Sequence, residues 1–254
     1  TAGTYTITYS YTDGNSCSNT ATQNITVNAQ PTVTLGNFTA VCIDNGLVAL
    51  TTGLPTPGNY SGTGVSGTNF NPIAATAGTH TITYKHTDGN SCTDSVSKTI
   101  RVNALPSVSL GALSSVCVNA SAVALSGGSP TGGTYSGTGV NSTTGIFSPT
   151  TAGIGTHKIT YTYGDANGCT DTASQMITVN GLPTVTLSAL SAVCAGAPAF
   201  SLSGGSPVGG TYSGTGVNST TGIFTPSSAT AGTYTITYSY TDGNSCSNTA
   251  TQNI

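Results

Sequence analysis

The stretch "GTYTITYSYTDGNSCSNTATQNITVN" (residues 3–28) decides the fold of this 254-residue chain. Its Tyr5, Ile7, Tyr9 and Tyr11 alternate with Thr and Ser, a period of two that indicates a half-buried β-strand with Tyr and Ile inward. The Asp-Gly-Asn at 13–15 supplies residues that tolerate the backbone of a tight turn. The stretch therefore predicts a long β-hairpin.

Composition supports an all-β chain and excludes several functions. Only seven acidic and four basic residues occur, with a net charge of −3. Thr, Tyr, Val and Ile favour strands, and no stretch has helix propensity over a useful length. Four dispersed basic residues give no footprint for nucleic acid. No apolar run approaches the roughly 20 residues that span a bilayer, so we expect no membrane insertion in this segment.

The same pattern recurs along the chain. Residues 1–25 are letter-identical to residues 230–254, and "ITVNAQPTVTL" at 25–35 returns as "IRVNALPSVSL" at 100–110 and "ITVNGLPTVTL" at 177–187. We divide the chain into the C-terminal hairpin of a preceding repeat (1–30), repeats at 31–105 and 106–182, and a repeat at 183–254 whose last strand is truncated. The chain begins inside a pattern and without Met, so we expect it to be an excerpt of a longer protein.

Each repeat is expected to form an antiparallel sandwich of the immunoglobulin-like kind. Six or seven short strands in about 75 residues, punctuated by Gly and Pro, fit that architecture. The joints are short and followed by Pro31, Pro106 and Pro183, which stiffen them. The prediction is a tandem array, end to end as a rod, in which each repeat adds on the order of 30–40 Å.

The seven cysteines predict disulfides. Each repeat has one early and one late Cys about 50 residues apart, and no regular His accompanies them as in a metal site. A unit of this size has a marginal core and gains from a closed loop. We expect the pairs Cys42–Cys92, Cys117–Cys169 and Cys194–Cys246, with Cys17 bonded to an upstream repeat. Oxidised pairs imply an extracellular, cell-surface location.

Several candidate sites have a simpler structural interpretation. "GTGVSG" at 62–67 matches a dinucleotide fingerprint, but no helix follows, so we interpret it as a turn. His80 and His86 share a strand face as two metal ligands might, yet the corresponding positions of the other repeats hold Tyr, apart from His157. We interpret them as an aromatic core column, and no metal or cofactor is expected. Thr-x-Thr ladders raise ice binding as a remote alternative, but twisted sheets offer no flat lattice.

The hairpin-turn aspartates are a second candidate. Their recurrence suggests turn chemistry, with a weak calcium site as the alternative, because calcium usually takes six to eight oxygens from several carboxylates and the chain has no Glu. These residues are Asp13, Asp88, Asp165 and Asp242. No carboxylate pair or nucleophile–base pair repeats, so we expect no enzyme.

"AGTYTITYSYTDGNSC…TQNITVN" resembles the closing strands of PKD-like repeats, and residues 132–169 look like the disulfide-bearing version in giant Bacteroidetes surface proteins. That family includes gliding-motility adhesins exported by type IX secretion. The resemblance implies spacers or adhesive stalks without catalytic residues. It also implies O-glycosylation at Asp-Ser/Thr-small motifs, here at Ser95 and Thr172.

The sequence thus predicts a structural and adhesive repeat region of an extracellular filament or stalk, acting through length, stiffness and multivalency. Its expected partners are neighbouring repeats of the same chain and lateral copies of the filament. The alternative is a carbohydrate- or protein-binding module that uses the hairpin loops and "YSGTGV" at 60–65, 135–140 and 212–217.

Overall fold

The computed structural model describes all residues, 1–254, as an all-β chain of antiparallel sandwiches. Its contacts group into two compact units. One unit comprises Thr1–Pro106 together with Gly164–Thr170, and the other comprises Ser107–Tyr163 and Asp171–Ile254. The predicted repeat 106–182 is divided between the two units, because Gly164–Thr170 groups with the first, and the predicted repeat bounds stay a prediction.

The opening stretch forms the predicted hairpin of β1 (Gly3–Thr12) and β2 (Ser18–Val27). The strands pair antiparallel from Gly3 opposite Val27 to Thr12 opposite Ser18. Every residue of both strands is solvent-exposed, including Ile7 at 60%. The alternation therefore predicted the strands correctly, and residues 1–30 contain no second sheet that could cover their Tyr and Ile side chains.

Residues 31–105 form the first sandwich. Its elements are β3 (Thr34–Leu35), β4 (Val41–Cys42), β5 (Val48–Ala49), β6 (Gly53–Leu54), β7 (Asn59–Ser61), β8 (Val65–Ser66), β9 (Asn69–Phe70), α1 (Pro72–Ala75), β10 (Gly78–Thr87) and β11 (Thr93–Asn103). The main sheet has the order β4-β11-β10-β7, beside a sheet β5-β9-β8 and a pair β3-β6. The strand β4 runs parallel to the end of β11, and the other pairs are antiparallel.

Residues 106–182 repeat this plan. Its elements are β12 (Ser109–Leu110), β13 (Val116–Cys117), β14 (Val123–Ala124), β15 (Gly128–Ser129), β16 (Thr134–Ser136), β17 (Val140–Asn141), β18 (Ile146–Phe147), α2 (Pro149–Ala152), β19 (Gly155–Gly164) and β20 (Thr170–Asn180). The sheets are β13-β20-β19-β16, β14-β18-β17 and β12-β15. Each one-turn helix starts at a proline that follows a capping Asn or Ser.

Residues 183–254 form the third sandwich with one strand fewer. Its elements are β21 (Thr186–Leu187), β22 (Phe200–Ser201), β23 (Gly205–Ser206), β24 (Thr211–Ser213), β25 (Val217–Asn218), β26 (Ile223–Phe224), a 3₁₀ turn (Pro226–Ser228), β27 (Thr235–Thr241) and β28 (Ser247–Asn253). The main sheet is β24-β27-β28. No strand forms at Val193–Cys194, where the other sandwiches have β4 and β13.

Each sandwich has its own apolar core, filled from the long hairpin. Ile159 and Tyr161 of β19 face Phe147, Ile177 and Leu110, all buried. Alternating residues of one strand point to the same face, so this set forms a continuous apolar layer. In the third sandwich Ile236 and Tyr238 take the same places with Phe224 and Leu187.

A pair of tyrosines with tilted rings packs in every sandwich. The rings of Tyr135 and Tyr161 lie 4.8 Å apart, and the Tyr135 hydroxyl accepts a hydrogen bond from the Gly128 amide at 3.0 Å. The Tyr161 hydroxyl donates to the carbonyl of Pro130 and accepts from the Gly133 amide at 2.7 Å. Buried phenols need such partners. The pairs Tyr60–Tyr84 and Tyr212–Tyr238 repeat the arrangement at 4.7 and 4.8 Å.

Candidate functional site

The hairpin turns that carry the late cysteines are built by their aspartates. Asp165 Oδ1 accepts hydrogen bonds from the amides of Asn167 and Cys169, each at 2.9 Å. The Asp165 amide donates to the Cys169 carbonyl at 2.9 Å and closes the loop. Asp and Asn favour such turns because the short side chain bonds its own backbone. The carboxylate therefore fixes the backbone that presents the cysteine.

The pKa of Asp165 lies below its ordinary value. The side-chain hydrogen bond from Asn167 is the main cause, and the backbone donors of Cys169, Asn167 and Gly168 add to it. Each of these hydrogen bonds favours the charged carboxylate. The carboxylate is thus part of the hydrogen-bonded turn, which favours its charged form.

The early cysteines sit at the opposite end of the sandwich. Cys42 ends β4 and lies opposite Asn103, the last residue of β11. The next amide, that of Ile43, donates to the Asn103 carbonyl at 2.9 Å. Cys117 lies opposite Asn180 in the same way. The parallel pairing therefore places each early Cys beside the end of the long hairpin that lies farthest from the turn.

Two disulfides join cysteines of consecutive repeats. Cys42 bonds Cys169 with the Cα atoms 5.6 Å apart, and Cys117 bonds Cys246 with the Cα atoms 5.5 Å apart. Both distances are ordinary for a disulfide. The two late cysteines are almost fully buried, Cys169 at 1% and Cys246 at 0% exposure. The turn of one repeat is thus covalently attached to the early loop of the repeat before it.

The expected pairing within a repeat, Cys42–Cys92, Cys117–Cys169 and Cys194–Cys246, was wrong. The eleven residues of β11 separate Cys92 from Asn103, the residue beside Cys42. An extended strand of that length spans about 35 Å at ~3.3 Å per residue. A disulfide allows less than about 7 Å between Cα atoms, so the two cysteines of one repeat cannot meet.

Three cysteines remain free. Cys17 and Cys194 are exposed, and Cys92 is partly buried. Cys17 and Cys92 occupy turns with the same two hydrogen bonds to the aspartate Oδ1 as the bonded turns, at 2.9 Å each. Cys194 occupies the early position of the third sandwich. The expected bond from Cys17 to an upstream repeat stays a prediction.

The two histidines of β10 are held by backbone carbonyls. A ring nitrogen of His80 lies 2.9 Å from the Thr76 carbonyl oxygen, and Nδ1 of His86 lies 2.7 Å from that of Pro57. His86 is buried at 9% exposure. No group of three or more His, Cys, Asp or Glu is arranged to hold a metal ion. The histidines thus occupy the aromatic column that the repeat comparison indicates.

The turn aspartates offer little to calcium. In each turn one aspartate stands alone, with Oδ1 already accepting two backbone amides. Calcium binding at these positions stays a prediction that the turn geometry does not favour.

The two glycosylation candidates lie on the exposed side of their hairpins. Ser95 on β11 and Thr172 on β20 are solvent-exposed, while the neighbouring Val96 and Ala173 are partly buried. The outward orientation that strand parity predicts is therefore present, and modification itself stays a prediction.

The "YSGTGV" loops belong to the core and its rim. A Cβ on Gly62 would lie 2.3 Å from the Thr81 carbonyl oxygen, and one on Gly137 would lie 2.5 Å from that of Lys158. Both glycines also have positive φ, 142° and 146°. They are required for close approach of backbone to backbone. The Ser and Thr side chains of these two loops are exposed, and ligand binding by the loops stays a prediction.

Sequence reasoning missed the inter-repeat disulfides and the tyrosine pairs. The pairs have a visible signal, a Tyr in "GNYSG" (58–62) or "GTYSG" (133–137 and 210–214) and a Tyr at the centre of the next long strand. The spacing of the cysteines gives no such signal for the disulfides, because spacing along the chain does not indicate at which end of a strand a residue lies. Only the parallel register of β4 with β11 shows it.

No helix of the chain has the length and apolar character that crossing a bilayer requires. The sequence matches no protein-family model and no curated protein. Among solved structures, the chain is similar to a Ca²⁺-stabilised adhesin that helps an Antarctic bacterium reach out and bind ice. That match has a TM-score of 0.38 and 16% identity, over 98% of this chain and 80% of the other.

Two further solved structures are similar at a lower level. Extracellular cadherin domains 3–6 of protocadherin gamma B2 match with a TM-score of 0.26 and 13% identity, over 98% of this chain and 82% of theirs. A Bacteroides ovatus protein of the mixed-linkage glucan utilisation locus, solved with a mixed-linkage heptasaccharide, matches with a TM-score of 0.22 and 19% identity. That match covers 88% of this chain and 68% of the other. Similarity of this degree carries no argument about function.

Proposed function

We propose that the chain is a structural and adhesive repeat region of an extracellular filament or stalk. The observation that carries the proposal is the pair of disulfides between consecutive repeats, Cys42–Cys169 and Cys117–Cys246. Disulfides persist in oxidising environments and are rare in the cytosol. A bond between neighbouring repeats restricts their separation as well as stabilising each fold.

The covalent topology suits a protein that is pulled along its length. The two disulfide loops overlap, so the shortest covalent route through the chain follows residues 1–42, 117–169 and 246–254. A fully unfolded but oxidised chain would extend by about 350 Å, against about 850 Å when it is reduced, at ~3.4 Å per residue. When tension unfolds the sandwiches, the disulfides thus withhold more than half of the extended length that the reduced chain would reach.

The chain carries few charged side chains. The cysteine turns are neutral apart from one carboxylate each, and the chain has 11 charged residues in all. Thr-rich strands such as β1 and β2 keep exposed faces hydrated without charge, so lateral copies of the filament meet little electrostatic repulsion. In this proposal adhesion comes from many weak contacts, made by the successive repeats of one chain and by lateral copies of the filament.

The finer assignment rests on the resemblance to PKD-like repeats. On that basis we propose that the chain belongs to a Bacteroidetes surface adhesin of the gliding-motility type, exported by type IX secretion. In the same proposal the exposed Ser95 and Thr172 carry O-linked glycans. Exposure is what an acceptor site needs, and both side chains have it.

The proposal is tested on cells that make the protein. A membrane-impermeant amine label should react with the protein on intact cells, and a non-reducing digest should contain the linked peptides of Cys42–Cys169 and Cys117–Cys246. Label that reaches the protein only after lysis, or peptides with four free thiols, would refute the extracellular assignment.

The mechanical part is tested by pulling single chains. The oxidised chain should stop near 350 Å and the reduced chain near 850 Å, as estimated above. The matched control replaces Cys42 and Cys117 by Ser, and this variant should reach the longer extension without reductant. An oxidised wild-type chain that reaches the longer extension contradicts the proposal that the disulfides limit stretching.

A further inference from the structure

Three asparagines of the chain are followed by glycine, the neighbour that best allows the backbone to attack the asparagine side chain. Glycine has no Cβ, so its nitrogen can approach the side-chain carbonyl carbon with little steric hindrance. The three pairs are Asn45–Gly46, Asn167–Gly168 and Asn180–Gly181. Their immediate sequence chemistry is the same, and the structure places them in different surroundings.

Asn167 is exposed but is held by hydrogen bonds. Its amide donates to Asp165 Oδ1 at 2.9 Å, and its side-chain Nδ2 donates to Oδ2 at 3.1 Å. The Gly168 amide, which would be the attacking group, donates to the Asp165 carbonyl at 3.1 Å. The nucleophile and the side chain that it would attack are therefore both fixed, and the turn must open before they can react.

Asn180 is held by a strand. It ends β20, lies opposite Cys117 of β13, and accepts a hydrogen bond on its carbonyl from the Val118 amide at 2.8 Å. Both Asn180 and Gly181 are partly buried, and a Cβ on Gly181 would lie 3.2 Å from the Ile154 side chain. The backbone on both sides of this peptide bond thus has little freedom to bend into a ring.

Asn45 has neither restraint. Asn45 and Gly46 are both exposed, the Gly46 amide donates to no acceptor, and a Cβ on Gly46 would meet no atom within 4 Å. The amide of Asn45 donates to the Cys42 carbonyl at 3.1 Å, on the side of the residue that takes no part in the reaction. The second and third sandwiches have Ala120 and Ala197 at this position, so the first sandwich alone carries the pair here.

We propose that Asn45 is a site of spontaneous deamidation, selected from the three Asn-Gly pairs by the fold. The Gly46 nitrogen gives up its proton to hydroxide and attacks the side-chain carbonyl carbon of Asn45. A C–N bond forms, the bond to Nδ2 breaks, and ammonia leaves a cyclic imide behind. Water then opens the imide at either carbonyl and gives aspartate or isoaspartate at position 45. One water is consumed and one ammonia is released, without any change of oxidation state.

The modification acts in a loop that is covalently linked to the next repeat. Asn45 follows Cys42 by three residues, and Cys42 is bonded to Cys169 in the turn that Asp165 builds. Either product adds a negative charge next to Asp44, and isoaspartate also lengthens the backbone by one carbon. Because the reaction needs no enzyme, the charge of this loop changes with the age of the molecule. This inference goes beyond the proposed function, since it needs neither adhesion nor an extracellular location.

The test follows ammonia loss at each site by peptide mass mapping of the full, oxidised chain kept at mildly alkaline pH. We expect Asn45 to react at least about tenfold faster than Asn167 or Asn180, the ratio that ~1.4 kcal/mol of restraint provides. One net hydrogen bond contributes about that much. The reduced chain in denaturant is the reference, and there all three asparagines should react at similar rates because each is followed by glycine.

Two variants complete the test. Gly46→Ala places a Cβ in open space, so it should leave the fold intact and slow the reaction at Asn45. Asp165→Ala removes the acceptor that holds Asn167 and should bring the rate at Asn167 towards that at Asn45, which serves as the internal standard. Mapping of the two disulfides in each variant shows that the repeats are still connected as in the wild type.

Three results would each overturn the proposal. The first is a folded wild-type chain in which Asn45 reacts no faster than Asn167 or Asn180. The second is a denatured chain that shows the same preference for Asn45, because the fold would then have selected nothing. The third is a Gly46→Ala variant in which Asn45 keeps its wild-type rate, because the attack would then not come from the backbone nitrogen of residue 46.

Discussion

The identical segments at the two ends of the chain provide a test of what burial contributes to this fold. Ile7 and Ile236 occupy the same letter of the same 25-residue sequence and face a Gln at the same register, Gln23 and Gln252. Ile236 is 0% exposed and Ile7 is 60% exposed. Substitution by Ala changes strand propensity equally at both positions, so the difference between the two variants isolates packing.

The expected magnitude follows from the surroundings of Ile236. Its side chain packs in the core with Phe224, Leu187 and Leu202 and reaches the backbone at Gly214. Truncation of a fully buried Ile to Ala costs about 2–5 kcal/mol through lost transfer energy and a residual cavity. Ile7→Ala should stay within about 0.5 kcal/mol, as surface substitutions do.

Hydrogen exchange measured by mass spectrometry reads the effect locally. The reporter is the peptide at 196–224, in which the Leu202 amide donates to the Gly222 carbonyl at 2.9 Å. In Ile236→Ala its protected amides should exchange about 30- to 4,000-fold faster, since 1.4 kcal/mol corresponds to a factor of ten. Ile7→Ala should change nothing there. Equal effects of both variants, or none from Ile236→Ala, would refute the assignment of the third core.

Three further outcomes are expected. Tyr161→Phe removes the hydroxyl that donates to the Pro130 carbonyl and should cost about 1–3 kcal/mol in urea denaturation, because it leaves that part-buried carbonyl and the Gly133 amide without their partner; no change would mean that the hydroxyl is not needed. Gly128→Ala places a Cβ 2.6 Å from the Tyr161 ring and should destabilise by about 1–3 kcal/mol, whereas Gly196→Ala, with open space around it, should be neutral in the same assay. The depressed pKa of Asp165 means that its carboxylate stabilises the fold above its unfolded pKa, and this contribution is lost as the pH falls through the folded pKa. Thermal unfolding between neutral and acidic pH should therefore show a wild-type advantage over Asp165→Asn that disappears in acid, and a constant difference would contradict the pKa shift.

Periodicity predicted the strands but not their environment. The alternation in "TYTITYSYT" predicts a strand at both ends of the chain, and the structure has β1 at one end and β27 at the other. The inward orientation of Tyr and Ile is observed for Ile236 and Tyr238 of β27, whereas β1 and β2 form a two-stranded sheet with no covering sheet among the residues given. An apolar side chain is buried only where the rest of a sandwich covers it, and the local sequence does not contain that information.

The turns were predictable from the sequence because their interactions are local. An Asp followed by Gly-Asn or Ala-Asn satisfies its own backbone within five residues, so the turns at 13–17 and 165–169 form from local interactions alone. The parallel pairing of β4 with β11 joins residues about 60 positions apart and depends on the whole sandwich. The fold class and the turn were therefore visible in the sequence, and the partner of each cysteine was not.

The length of the hairpin is what forces the disulfides to join different repeats. With the early Cys beside the last residue of an eleven-residue strand and the late Cys just before its first residue, the two lie about 35 Å apart. The late Cys of one repeat can then only reach an early loop outside its own sandwich. The resulting loops 42–169 and 117–246 share residues 117–169, so the second sandwich is covalently tied to both of its neighbours. Bonds within single repeats would leave each sandwich free to unfold and extend its joints independently. Interleaved bonds couple them, and this coupling is the property that a filament under tension requires.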